Sequence, residues 1–565
     1  MHGIWYVFDY NVNTYLVLFY FSAMRSVGST LGGMGDYFNT GAATTSDANP
    51  ARTAPAPQPA APQAAAHPVR VPASSRPGCG GTQTLIAEVL WAMKCVESHY
   101  SFRSCEGTSD SFKRMFQGHH VAETKCRYLC QFGLAPHFSS LLKSRINKDS
   151  EYVLLFDESM NTKTKNKQLD IHVRLWHHDQ VHTRYLTSQF IGHAAATDLL
   201  EHFHASTSNL RRSGLLQVSM DGPSVNWSFY DKLGKEIKDE CDMGLMNIGS
   251  CGLHVIHGAF QTGARETGWD LGDILSSPYN LFKDTSARRD DFTDVTGCKD
   301  FPLKFCNHRW VENGPVCSRV ILLWPHLKLF VEACESKKKP KPTSNSYKTL
   351  HGAMNDKLSV AKLSFFRSVA SAVEPFLALY QTDKPMGPFL VHDIERLVRN
   401  LLERCVKPVA LQNASTAYDL LKLDLEKERV ENKKIEVGFK AESELKSLLR
   451  TKAISERQVF QFKEECRLFV VKCVNKIFER SPLKYSLARN MASLDPRLMV
   501  TDQEHSKSKF KCLLENLVTL NRVDGDNVDM LVASYKELLQ DVAGCELKSR
   551  FKDFKVEDDR VDVLL

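Results

Sequence analysis

The sequence has no regular cysteine framework. Its 16 cysteines are scattered over 565 residues, without the dense, even spacing of a small disulfide-stapled domain. They read as reduced, mostly buried thiols of an intracellular protein, where the sequons at Asn226 and Asn413 carry no meaning. There is no convincing internal repeat, which argues against solenoid and propeller arrays. Neither sign of charge dominates. A formal charge of +7 suits a polyanionic partner without demanding one. Hydrophobic content of 43% and charged content of 25% fit an ordinary globular chain, and the length predicts roughly two to four domains.

Long apolar runs are also scarce. The exception is "IWYVFDYNVNTYLVLFYFSAM" (Ile4–Met24), long enough to raise a membrane span. Against that, Asp9, Asn11 and Asn13 lie inside it, a basic n-region is missing, and no A-x-A-like cleavage site follows cleanly. Residues 1–40 are therefore either a tether or an appendage. Residues 41–81 turn to Ala, Pro, Ser and Thr, a composition that cannot bury a core and predicts a disordered or polyproline-like linker.

Apolar residues at helical spacing begin with "TLIAEVLWAMKCVESHY" and recur in "TKCRYLCQFGLAPHFSSLLKSRI", so residues 82–150 are expected to be helical. A β-rich block follows. "YVLLFD" (152–157), "QLDIHVRLW" (168–176) and "VHTRYLTSQF" (181–190) read as an antiparallel meander. A helix is expected over 193–206, a fourth strand over 215–221, then a helix from Pro223 to about Glu240 and another from "CGLHVIHGAFQTGA". From about Val311 the pattern is almost wholly helical, interrupted by "ESKKKPKPTSNS" (335–346).

The first and fourth strands each end in an aspartate, Asp157 and Asp221. Each can cap a turn. Brought to one sheet edge, the two carboxylates could instead hold Mg²⁺ or Mn²⁺, which take oxygen ligands and keep positions open for water and phosphate. Cys251 and His254 stand one helical turn apart. C-x-x-H is half of a zinc site with no second half nearby, so packing of a thiol and an imidazole is the plainer reading. His119, His120, Cys126 and Cys130 are too irregularly spaced for a finger. Arg309 and Trp310 are adjacent; such a pair can grip a phosphate and stack a base, or the indole can anchor the next helix to the core. "KKKPKP" (337–342) is either an import signal or a solvated loop.

"FDESMN" (156–161), "VSMDG" (218–222), "CGLH" (251–254), "NHRW" (307–310) and "LDPR" (494–497), in that order, resemble the successive landmarks of the hAT superfamily of DNA transposases. The resemblance spans residues 82–565. It implies an α/β fold: an RNase H-like mixed-sheet core (151–310) interrupted by a large all-helical insertion (311–500), then a helical return segment (501–565). It further implies that Asp157 and Asp221 bind catalytic Mg²⁺ or Mn²⁺, that Cys251 and His254 support the active site, and that Arg309 and Trp310 contact DNA, the indole stabilising a flipped base. DNA is the implied partner and the nucleus the implied location; a genuine anchor in Ile4–Met24 would tether the chain to a membrane instead.

The sequence departs from that family at both ends. No ligand set of a BED-type zinc finger occurs in the first 81 residues, and no "ER-x-FS"-like segment, which carries the third acid and the dimerisation region, precedes Leu565. Glu504, Glu515, Glu537, Glu546 and Glu557 stand in other contexts. The expectation is a transposase-derived, domesticated DNA-binding protein with impaired catalysis and no assured homo-oligomer. The alternatives are an active metal-dependent transposase or nuclease using a late glutamate, and a non-catalytic interaction scaffold.

Overall fold

The computed structural model describes residues 80–104, 110–111, 122–148, 151–161, 165–192 and 195–565. The leader and nearly all of the expected linker lie outside these residues, as do His119 and His120. The chain forms two compact units, which divide between Arg145 and Ile146.

In the smaller unit, α1 (Gly80–Glu97) packs on α2 (Glu123–Tyr128), which runs through a π-helical turn at Leu129–Leu134 into α3 (Ala135–Asn147). α1 starts one residue before the expected linker ends. Its buried cluster is small: Ala92, Cys95 and Cys126, with Trp91 and Leu129 against them.

The larger unit is built on β1 (Tyr152–Met160), β2 (Lys167–His177), β3 (Gln180–Ile191) and β4 (Leu215–Ser219). The sheet order is β3-β2-β1-β4, with β1–β2 and β2–β3 antiparallel and β1–β4 parallel. The alternation of β2 explains its two faces. Leu169, Ile171, Val173 and Leu175 point one way and are at most 1% exposed, matching Tyr152, Leu154 and Phe156 on β1. That apolar face is covered by α4 (Ala196–Thr207) and α5 (Ser224–Cys241), with Phe156 and Phe203 both edge-on to Phe229. α5 buries Asn226, Phe229, Tyr230, Leu233 and Ile237, the stripe of an amphipathic helix.

The opposite face carries Gln168, Asp170, His172 and Arg174 from β2, paired with Ser159, Asp157, Leu155 and Val153. One end of it is closed. Arg174 is fully buried and donates to Thr183 Oγ1 and the Asp383 carbonyl. The other end, around Asp157 and Asp170, is half-buried.

Residues 245–251 run along the free edge of β4. The Met246 N–H donates to the Leu216 carbonyl at 2.9 Å, and that of Cys251 to the Met220 carbonyl at 3.0 Å. These acceptors are an even number of residues apart, so both face away from β1. α6 (Gly252–Glu266) follows directly, then α7 (Leu271–Phe282) and α8 (Ser286–Thr296). Beyond these lie α9 (Gly314–Glu335), α10 (Asn345–Asn355), α11 (Ser359–Tyr380), α12 (Gly387–Leu402) and α13 (Glu456–Arg480), the last packed along α6.

The end of the chain returns to the sheet. Arg522 donates to the carbonyls of Ser213, Leu215 and Gly244. Among the described residues no helix is long and apolar enough to cross a membrane; the stretch Ile4–Met24 is outside them.

Candidate functional site

In the parallel pair, Leu155 on β1 sits opposite Ser219 on β4. β4 ends at Ser219, two residues short of the strand end expected from the sequence, and β1 runs three residues past Asp157 to Met160. Asp157 and Asp221 still line one cavity and feel each other's charge.

Asp221 leaves β4 just before the turn at Gly222 and Pro223, and its Oδ1 accepts from Asn226 Nδ2 at 2.6 Å. The first turn of α5 thereby fixes its carboxylate. Asp157 is still in β1, and burial pushes its carboxyl up to about 6. His254 opposes that rise and the Asp221 charge adds to it. A carboxyl that is half out of water with too little compensation takes a proton more readily.

The bond from Cys251 to Met220 sets the start of α6 beside Asp221, and one turn later His254 faces both aspartates. The His254 imidazole is lifted to about 9, first by its hydrogen bond to the Cys251 side chain and then by the charges of Asp221 and Asp157. His254 is exposed, so water screens part of that push. His257, one turn further into the core, is buried and pushed down to about 3 by desolvation. It stays neutral, with Nδ1 near the Val311 N–H at 3.4 Å.

A cavity of about 90 Å³ is lined by Asp157, Asp221, Cys251, His254, His257 and Arg309, among others. Five of the six residues singled out from the sequence thus share a site, Trp310 being the exception. Arg309 reaches its wall with a guanidinium already paired to Glu312 at 3.0 Å.

Comparison with protein-family models and with curated proteins gave no match.

Trp310 takes the structural role that its position allows. It is 7% exposed, edge-on to Phe305 at 5.3 Å, and its ring lies 3.2 Å from where a Cβ on Gly272 would stand. With the Gln261 amide oxygen turned toward it, Nε1 donates at 2.9 Å, and Arg265 Nη2 donates to the same oxygen. One side of the indole lines a separate polar cleft of about 950 Å³ between α6, α7 and residues 304–307. In this packing the ring is a core anchor.

Two of the four lysines of the basic loop are paired with acids. Lys339 pairs with Asp291 and Asp294, and Lys341 with Glu335. None of the late glutamates with described side chains lines the Asp157 cavity: Glu504 is exposed and paired to Lys507, and Glu557 lines a groove beside α11 and α12. The end of α13, at Glu479 and Arg480, reaches the turn that follows Asp221. Arg480 donates to the Gly222 carbonyl at 2.7 Å, while Glu479 itself is held by Lys476 and Arg480. Its place is set by the α6–α13 packing, which no local motif reveals.

Three further residues escape sequence reading. Asp170 lies directly across from Asp157, where Gln168 and Ser188 donate to it. Tyr185 and Phe190 are 56% and 54% exposed. Five residues apart, they would point to opposite faces of a regular strand. An extra residue in β3 beside Ile171–His172 sets Tyr185 opposite His172 and Phe190 opposite Gln168. Both rings therefore stand on the face that carries Asp157.

Among the described residues no three His, Cys, Asp or Glu side chains converge on a metal position. Two carboxylates on a rigid edge still suit Mg²⁺, which commonly takes one or two from protein and the rest from water and phosphate.

Proposed function

We propose that the chain is a hAT-transposase-derived nucleic-acid-binding protein of the nucleus, with an RNase H-like core and impaired catalysis. One observation carries the proposal. Asp157 on β1 and Asp221, two residues past the end of the parallel strand β4, are far apart in sequence yet share a cavity with Cys251, His254 and Arg309. The strand order, with three antiparallel-linked strands and a parallel fourth, is in keeping with such a core.

Asp157 and Asp221 would hold a divalent ion. Such an ion, when bound, polarises a phosphate oxygen and lowers the pKa of a water. The chain's own groups work against tight loading. Asp157 must first lose a proton held by burial, and His254 brings positive charge to the same carboxylates. A third carboxylate at the cavity is what full activity would add. Strand binding does not need it. Tyr185 and Phe190, roughly 13 Å apart along the sheet, offer stacking faces beside the acids.

The full-length chain should bind single-stranded DNA with affinity that falls as salt rises, and Tyr185→Ala with Phe190→Ala should weaken binding by about fivefold or more. With Mg²⁺ or Mn²⁺ present, cleavage should stay at background. Robust cleavage that disappears in Asp157→Ala would overturn the impaired-catalysis reading. Its disappearance in Glu479→Gln as well would favour the active-enzyme alternative, for which the Arg480–Gly222 contact speaks.

A further inference from the structure

α5 buries five side chains, and the first of them is polar. Asn226 is 2% exposed and heads the stripe continued by Phe229, Tyr230, Leu233 and Ile237. A buried amide costs free energy unless both of its ends find partners. One end does. Asn226 Nδ2 donates to Asp221 Oδ1 at 2.6 Å and lies 3.5 Å from the Asp221 carbonyl oxygen. The other end does not: Asn226 Oδ1 meets no donor among the described residues. Turning the amide over is no remedy, because that would set Oδ1 against two oxygens of Asp221.

The segment between the two residues is held. Arg480 Nη1 donates to the Gly222 carbonyl at 2.7 Å, and the Asn226 N–H donates to the Pro223 carbonyl at 3.1 Å. A Cβ on Gly222 would stand 3.0 Å from Ser250 Oγ. A turn with so little room keeps the amide aligned with the Asp221 carboxylate. The orphan acceptor is therefore a fixed feature, one amide width from an acid that lines the Asp157 cavity. Water or the hydration shell of an ion is what meets a buried acceptor of this kind.

We propose that Asn226 is a positioning residue for a divalent ion at Asp157 and Asp221. Its Nδ2 aims the Asp221 carboxylate, and its Oδ1 accepts a hydrogen bond from a water of the ion's shell. Mg²⁺ suits such a contact, since it keeps several of its waters when bound. Groups that orient a ligand in this way set much of a site's affinity. On the divalent-ion reading of the two aspartates, on which this rests, Asn226 adds a neutral oxygen to a site that gathers no third acid among the described residues. Metal affinity then depends on α5 as well as on the sheet.

Titration of the full chain with Mn²⁺ tests it, followed by electron paramagnetic resonance of the unbound ion and by thermal melting. Wild type should bind, Asp221→Ala should not, and Asn226→Ala should bind about tenfold or more weakly. Asn226→Asp sets a second carboxylate against Asp221. Its melting temperature should fall without the ion and recover when Mn²⁺ is added. An amide with a merely structural role would give a lowered melting temperature that Mn²⁺ does not restore. Wild-type affinity in Asn226→Ala, or an Asn226→Asp chain that Mn²⁺ does not rescue, overturns the role of Asn226 and leaves the two aspartates their ion. A wild-type chain that binds no Mn²⁺ overturns both.

Discussion

At the residue scale, Asp157 and His254 titrate in opposite senses. Asp157 is raised from 3.8 to about 6, so between those values the native chain holds a proton that the unfolded chain has released. Stability then falls as pH rises through that window, and ionised Asp157 is a cost above it. Asp157→Asn should therefore be more stable than wild type above pH 6, by about 1–3 kcal/mol. The gap should close as pH falls toward 4, as checked by urea melts across pH. His254, raised from 6.5 to about 9, gives stability that is complete below 6.5 and lost as pH rises through 9. Between about 6 and 9 the carboxylate and imidazolium coexist. The aspartate was legible as an acid of the first strand, expected at its end, whereas β1 runs on to Met160; its proton affinity depends on burial that only packing provides.

At the element scale, α6 joins the site to the helical region, and two of its glycines behave differently. A Cβ on Gly263 would lie 2.6 Å from the Phe469 carbonyl oxygen and 3.2 Å from the Cys473 Cβ on α13. A Cβ on Gly258 would meet nothing within 4 Å. Gly263→Ala should destabilise by about 1–3 kcal/mol through forced separation of the helices, despite its better helix propensity. Gly258→Ala should be neutral or stabilising by up to about 1 kcal/mol. Thermal melts of the two variants distinguish close approach from propensity. The sequence marks α6 as a helix through its apolar spacing. It does not say which glycine faces α13, because that depends on a crossing between segments some two hundred positions apart.

At the scale of the whole molecule, the last residues complete the sheet. β3 is an edge strand, and such edges leave backbone groups unpaired. At Val181 the N–H donates to Asp562 Oδ2 at 2.8 Å and the carbonyl accepts from Arg560 Nη2 at 3.0 Å. Arg560 and Asp562 also bind each other at 2.7 Å, with the Asp562 side chain fully buried. Asp562→Ala should cost about 1–3 kcal/mol, because it strands a buried N–H. Asp562→Asn, which keeps an acceptor, should cost less in the same denaturant titration.

The sequence by itself determined the elements and their order. Period-two alternation in β2 and the helical stripe of α5 follow from local chemistry, and the association of Asp157 and Asp221 with the first and fourth strands is visible in the chain, though β1 runs past Asp157 and β4 stops before Asp221. Only the tertiary structure decided what those residues do together. The parallel pairing of β1 and β4 brought the two acids to one cavity. An extra residue in β3 turned Tyr185 and Phe190 to one face, and core packing took Trp310 out of the solvent. Each depends on contacts between distant segments, whose free energy comes from burial and hydrogen bonding that no local pattern encodes.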